Sequence, residues 1–398
     1  MKKLLSIFII ILVIVLVSVI SINILTLKKY SGLPKNQSTE TRVLTPRTST
    51  PAVVATTTPA TSTQSFTLPS RTILENVQAF ASKRRLNLPE ATRLYAYAAT
   101  AYADTFVLTQ NESLSQDAVQ KIVSQMYPDY KNQDSSAADN LPSSQNKKID
   151  WLKYLSDREK SDGFHSITWD GKIPSGTGKW KKTNGSPIYP TAGNWQRWIA
   201  SSTIDEEVKP LVYGSIDYQI ELQKLKKSIS NEILNQETIM NSLDITSSTN
   251  DIAQVWQNKL WKIFSSTTAS TSLENNLLYG NLQKLLAQTI ADATMNAWKI
   301  KYTYWTDSIT KQIETASTTN SFALTPSFPG EDAFVSGAAK EILNSFFPNQ
   351  KTEIINFSQI IRDASLFTGY HLDYDNQSGY KLGEILGKEV LQKQDSNN

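Results

Sequence analysis

A chain of 398 residues with no cysteine contains no disulfide, no thiolate metal site and no cysteine nucleophile. Its formal net charge of +3 originates at one end: residues 1–30 hold four Lys and no acid, leaving 36 Lys and Arg against 37 Asp and Glu elsewhere. That balance excludes a polycationic nucleic-acid binder, and no nucleic-acid partner is expected.

Residues 4–27 are almost unbroken apolar sequence. As a helix rising 1.5 Å per residue, this stretch spans roughly 36 Å, more than the roughly 30 Å hydrocarbon core of a bilayer. No Ala-x-Ala-like cleavage site follows at 23–27, so a retained single-pass anchor in the cell membrane is expected over residues 1–30. Lys2 and Lys3 precede it while Lys28 and Lys29 follow, which nearly balances the positive-inside preference. Residues 31–69, with runs such as Ala55-Thr-Thr-Thr-Pro59, cannot bury enough apolar surface to fold and read as a disordered stalk. A spacer of this kind holds a domain off a surface, which favours an extracytoplasmic domain over residues 70–398.

From residue 70 onward the periodicity is helical. Apolar spacing predicts helices over 73–82, 88–105, 115–126 and 149–160, with Pro89 and Glu90 suited to a first helical turn and 128–148 a polar loop. Residues 163–200 break the pattern with six Gly, three Pro and Trp169, Trp180, Trp195 and Trp198. They predict an ordered aromatic loop lying across the helices, with a carbohydrate-binding platform as the functional alternative. His165 lies in this loop and reads as a packing residue. Helices resume over 216–236, 252–264, 273–302, 337–347, 353–368 and 378–393, and strand signals are sparse. Ala-Asp pairs in two Ala-rich stretches, Ala103-Asp104 and Ala291-Asp292, suggest two copies of a helical bundle.

Three stretches near the C-terminus carry chemistry. Lys301-Tyr-Thr-Tyr304 ends a helix, with Ser308-Ile309 seven and eight residues after the Lys. Pro326-Ser-Phe-Pro329 leads through Gly330, Glu331 and Asp332 to Ala333 and Ser336-Gly-Ala-Ala339. Finally Ala364-Ser365, Gly369, His371 and Asp375 run on to Gly379 and Gly383. Together they resemble the active-site signature of the vanadium-dependent haloperoxidase and type-2 phosphatidic acid phosphatase superfamily, in its bacterial haloperoxidase-like branch. The similarity extends loosely over residues 70–393, and only the three motifs are specific.

The resemblance implies an all-α, two-bundle helical domain with a site for a tetrahedral oxyanion, vanadate or phosphate. In that pattern His371 is the nucleophile or vanadate ligand, Asp375 orients it, and Asp332 stands where the acid/base His belongs. Lys301 and the backbone at Gly330 hold the anion, while Ser308 and Ser365 replace two Arg. Each hydrogen bond to a charged group contributes about 1.5–3 kcal/mol, so losing both Arg costs on the order of 3–6 kcal/mol, roughly 10²–10⁴ in anion affinity. Glu331 and Asp332 add repulsion, since like charges about 4 Å apart cost about 4 kcal/mol at an effective dielectric of 20. The expectation is a pseudoenzyme with a degenerate site, no bound vanadate or phosphate, and a binding or structural role. An active phosphatase or haloperoxidase would have to rebuild the clamp from Lys299, Lys311 or Arg362. A third possibility is a divalent cation held by Glu331, Asp332, His371 and Asp375, a hard-ligand set.

Overall fold

The computed structural model describes residues 68–130, 150–181, 186–201, 208–232, 251–268, 271–307, 309, 325–364, 366 and 370–397. The expected anchor, nearly all of the stalk, and Ser308, Lys311, Ser365 and Gly369 lie outside them. Among the described residues no helix is long and apolar enough to cross a membrane.

Among the described residues ten α-helices carry the architecture: α1 Pro69–Arg84, α2 Leu88–Thr109, α3 Glu112–Met126, α4 Asp150–Ser161, α5 Ile216–Glu232, α6 Ile252–Thr267, α7 Leu273–Tyr304, α8 Glu331–Phe346, α9 Lys351–Ala364 and α10 Asp373–Asn397. Among the described residues there is no strand, only an isolated antiparallel bridge between Lys179 and Thr306. The sequence encodes several starts directly. Asn87 and Glu90 form a capping box on α2, and Asn111, Asp251 and Ser272 cap α3, α6 and α7 with their side chains.

Two helices are buried all round. Every residue from 91 to 103 of α2 and from 285 to 298 of α7 is buried, and the two pack against each other. Small residues permit this, because Ala on most faces lets neighbouring helices approach from every side. An N-terminal group, α1 to α4, gathers around α2, and a C-terminal group, α6 with α8 to α10, gathers around α8. One continuous apolar core runs through both groups, so the expected two bundles share a single interior.

The repeated Ala-Asp pair does not mark equivalent positions. Asp104 forms a half-exposed ion pair with Lys284 at 2.5 Å. Asp292 is fully buried and accepts the backbone N–H groups of Trp198, Ile199 and Ala200 at 2.7, 2.8 and 2.7 Å. The Gly/Trp-rich segment is thereby fastened to α7. Trp180 and Trp195 are buried within it, against Trp305 and against Phe164 and Tyr189 respectively. Those rings pack inward, as the packing alternative requires and a sugar platform does not. His165 is exposed and pairs with Glu159 at 3.0 Å.

α8 and α10 cross with their backbones in close approach. A Cβ on Gly337 would stand 2.2 Å from Tyr380 O, one on Gly379 2.3 Å from Gly330 O, and one on Gly383 2.0 Å from Phe334 O. Only glycine admits such backbone approach. This crossing brings the first turn of α8 against the first turn of α10.

Candidate functional site

Lys301 sits in the last turn of α7, where a cation suits the negative end of the helix. The chain leaves α7 through Trp305 in the left-handed region, φ 53°, whose N–H closes on Lys301 O. Trp305 O accepts Trp180 N–H at 2.7 Å, so the aromatic loop braces this turn. The next residue, Thr306, fixes the Pro-Ser-Phe-Pro segment. Its Oγ1 accepts Phe328 N–H at 2.8 Å and its carbonyl accepts Ser327 N–H at 3.1 Å. The carbonyls of Pro326 and Ser327 are thereby aimed at Lys301 Nζ, which donates to them at 2.7 and 3.0 Å.

Gly330 is the N-cap of α8, so Glu331 and Asp332 occupy its first turn, at the positive helix end. The Gly330 amide donates to Asp375 O at 3.0 Å. Glu331 turns inward. Its Oε2 lies 2.8 Å from Lys301 Nζ and 3.2 Å from His371 Nε2. Both are charge contacts off the carboxylate's preferred hydrogen-bonding directions, since Oε2 has no directed donor. Lys301 is fully buried, Glu331 retains 13 % side-chain exposure, and His371 is buried with Nδ1 lacking a hydrogen-bond partner.

Asp375 is the third residue of α10. Its Oδ2 accepts Ser327 Oγ–H at 2.7 Å and reaches back to Leu372 N–H at 3.2 Å, the carboxylate half of a capping box. The structure thus gathers Lys301, Gly330, Glu331, Asp332, His371 and Asp375 into one cluster. Asp375, however, serves the helix start and Ser327, while the nearest carboxylate to the His371 ring is Glu331.

The electrostatics follow from burial. Burial pushes the Glu331 carboxyl up, but the charges of Lys301 and His371 outweigh it and hold the group well below the usual carboxylate range. Asp332 is pushed up to about 7, by burial first and then by the negative charge of Glu331, with Asp251 adding to it. Burial also raises Asp375, against the opposing pull of His371 and Ser327. Two adjacent acids therefore differ in state near neutrality, one held ionised and one half protonated.

Neither described substitute cation reaches the cluster. Lys299 Nζ donates to Asn194 Oδ1 at 2.7 Å at the surface, and Arg362 pairs with its neighbour Asp363 at 2.7 Å. Lys311 lies outside the described residues. A divalent-cation site is not formed either. Among the described residues no three carboxylate or imidazole groups converge on a point that could hold a metal ion. The physical reasons are that the Lys301 ammonium already sits on Glu331 and that Asp375 faces Ser327.

The sequence alone did not reveal that Glu331 pairs with Lys301; it suggested only repulsion in the pocket. The available signal was charge accounting, because a buried Lys whose neighbourhood has gained an acid draws that acid in as its counterion. A second buried network was also missed. Arg93, within the Ala/Tyr-rich α2, donates to Asp162 at 2.6 Å and Glu159 at 3.1 Å, and Tyr97 O–H donates to Asp162 at 3.0 Å.

No known family profile and no curated protein sequence match this chain. Solved structures do. The crystal structure of a bacterial vanadium-dependent iodoperoxidase superposes with a TM-score of 0.61 at 15 % identity, over 82 % of this chain and 95 % of that one. An apo bacterial vanadium-dependent chloroperoxidase matches at 12 % identity and a TM-score of 0.49, over 84 % and 97 %. The chain therefore has a vanadium haloperoxidase-like fold, all-helical in its described residues.

Proposed function

We propose that this chain is a membrane-tethered, extracytoplasmic haloperoxidase-like domain that has given up oxyanion chemistry and acts as a binding or structural module. The observation that carries this is the position of Glu331. Its carboxylate lies against Lys301 and His371 together, the two side chains that the family pattern assigns to holding and ligating the anion.

Vanadate does not fit the residues present. Lys301 Nζ is enclosed by two carbonyl oxygens and a carboxylate, leaving it little positive potential to offer. The Gly330 amide is already bonded to Asp375 O. The sequence supplies Ser at positions 308 and 365 in place of Arg, and Asp332 in place of the acid/base His. Bringing a polyanion against the ionised Glu331 carboxylate is opposed by Coulomb repulsion, about 4 kcal/mol for a like pair near 4 Å at an effective dielectric of 20. Tethering is supported by the sequence of residues 4–27 and the Thr/Ser/Pro-rich residues 31–69.

The test is activity of the full-length protein. Hydrolysis of p-nitrophenyl phosphate, and halide oxidation with vanadate and peroxide, are measured beside His371→Ala. No turnover above that variant is expected. Turnover in the wild type that disappears in His371→Ala contradicts the proposal.

A further inference from the structure

We infer that the Glu331 side chain is the anionic ligand of its own cation cavity, an internal carboxylate seated where an external oxyanion would otherwise bind. This rests on the proposed loss of oxyanion chemistry and states what replaced it. A fully buried ammonium is costly unless paired, and the carboxylate within ion-pairing distance of Lys301 Nζ is that of Glu331, at 2.8 Å. The same oxygen lies 3.2 Å from His371 Nε2, so one atom stands against two buried nitrogen groups that come from different elements. Pro326 O and Ser327 O complete the shell around Nζ.

Three features distinguish an occupied anion position from an ordinary core ion pair. The imidazole of His371 is buried and turns Nε2 towards the same carboxylate oxygen, 3.2 Å away. Glu331 keeps 13 % exposure while Lys301 has none, so the carboxylate stands between the ammonium and solvent. The groups around it are held by their neighbours: the Pro326-Ser327 segment through Thr306, which accepts Ser327 N–H and Phe328 N–H, and His371 through the adjacent Tyr370, whose hydroxyl donates to Thr325 O. Removing the carboxylate therefore leaves a preformed cavity bearing an uncompensated cation and open towards water. A small oxyanion such as formate, acetate or phosphate is the chemistry that fills it.

Chemical rescue tests this on the full-length protein in detergent. Glu331→Ala is expected to lower the melting temperature by roughly 5 °C or more. Formate, acetate or phosphate should restore most of that loss saturably, at concentrations about tenfold lower than chloride at matched ionic strength. The wild type should show no saturable response. Glu331→Ala/Lys301→Met, which removes both charges, should be more stable than Glu331→Ala and indifferent to oxyanions. If Glu331→Ala does not fold in plain buffer, folding restored by formate, acetate or phosphate but not by chloride supports the inference, and failure to fold in all of them overturns it. A Glu331→Ala protein that responds to oxyanions no better than to chloride overturns it too, while a wild type without turnover leaves the functional proposal standing. Turnover in the wild type removes the functional proposal whatever the rescue shows.

Discussion

At the scale of single residues, adjacent positions with like formal charge take opposite roles. Glu331 is drawn to a buried ammonium and stays ionised; Asp332, one residue on, faces the charge of Glu331 and is pushed up to about 7. The sequence read Glu331 only as a source of repulsion and missed its pairing with Lys301, because spacing along a chain gives no side-chain direction at a helix start. A pH dependence follows. Between about pH 4 and 7 the unfolded chain has ionised Asp332 whereas the folded chain retains its proton, so stability falls as pH rises and the contribution is gone above about 7. Glu331 works oppositely, adding stability above the ordinary Glu range that is lost only as the solution becomes strongly acid. Asp251 and Asp292, both raised to about 6 by burial, share the downward trend. Asp332→Asn should therefore flatten the stability profile from pH 5 to 8 by about 2 kcal/mol without removing it. Thermal or urea unfolding at each pH checks this, and an unchanged slope in the variant contradicts the assignment.

At the scale of elements, the α8–α10 crossing positions the site. The Ser336-Gly-Ala-Ala339 stretch and the Gly379 to Gly383 spacing were legible as motif flanks, and the structure gives their physical purpose as backbone contact. Gly383→Ala places a Cβ about where Phe334 O stands, 2.0 Å away, so the helices must separate. A loss of roughly 1–3 kcal/mol is expected from such overpacking. Gly280→Ala is the control: its Cβ meets nothing nearer than 3.7 Å, within α7, so helix propensity should leave stability equal or raised by up to about 1 kcal/mol. Denaturant midpoints for the two variants decide it, and equal stability would mean that the crossing tolerates side chains. Helix boundaries were less legible than helix existence. α8 begins at Glu331 and not at 337, and α10 at Asp373 and not at 378, because each first turn is polar and carries acids that belong to the site. Acids in a first turn are a start signal in their own right. α1 begins at Pro69, where Leu68 offers no capping side chain to announce it.

At the scale of the whole molecule, the helical class and the order of elements could be read from the chain, since α2 and α7 show Ala-rich periodic sequence that only a buried helix requires. Inward packing of Trp180 and Trp195 was also legible, as rings in a glycine-rich segment need a surface to cover. Three things were not. The sharing of one core by both helical groups depends on long-range contact between α2 and α7, which no local pattern encodes. The unlike fates of Asp104 and Asp292 depend on what the Gly/Trp-rich loop reaches. The buried Arg93–Glu159–Asp162 network depends on a helix 66 and more residues distant in sequence. The charge partners of the buried polar groups are therefore decided by long-range packing, after the backbone is in place. The most direct measurement is a crystal structure of the wild-type protein soaked in orthovanadate. The account predicts Glu331 still seated on Lys301 and His371 with no vanadium density between them; an occupied vanadate bonded to His371 Nε2, with Glu331 displaced, contradicts it.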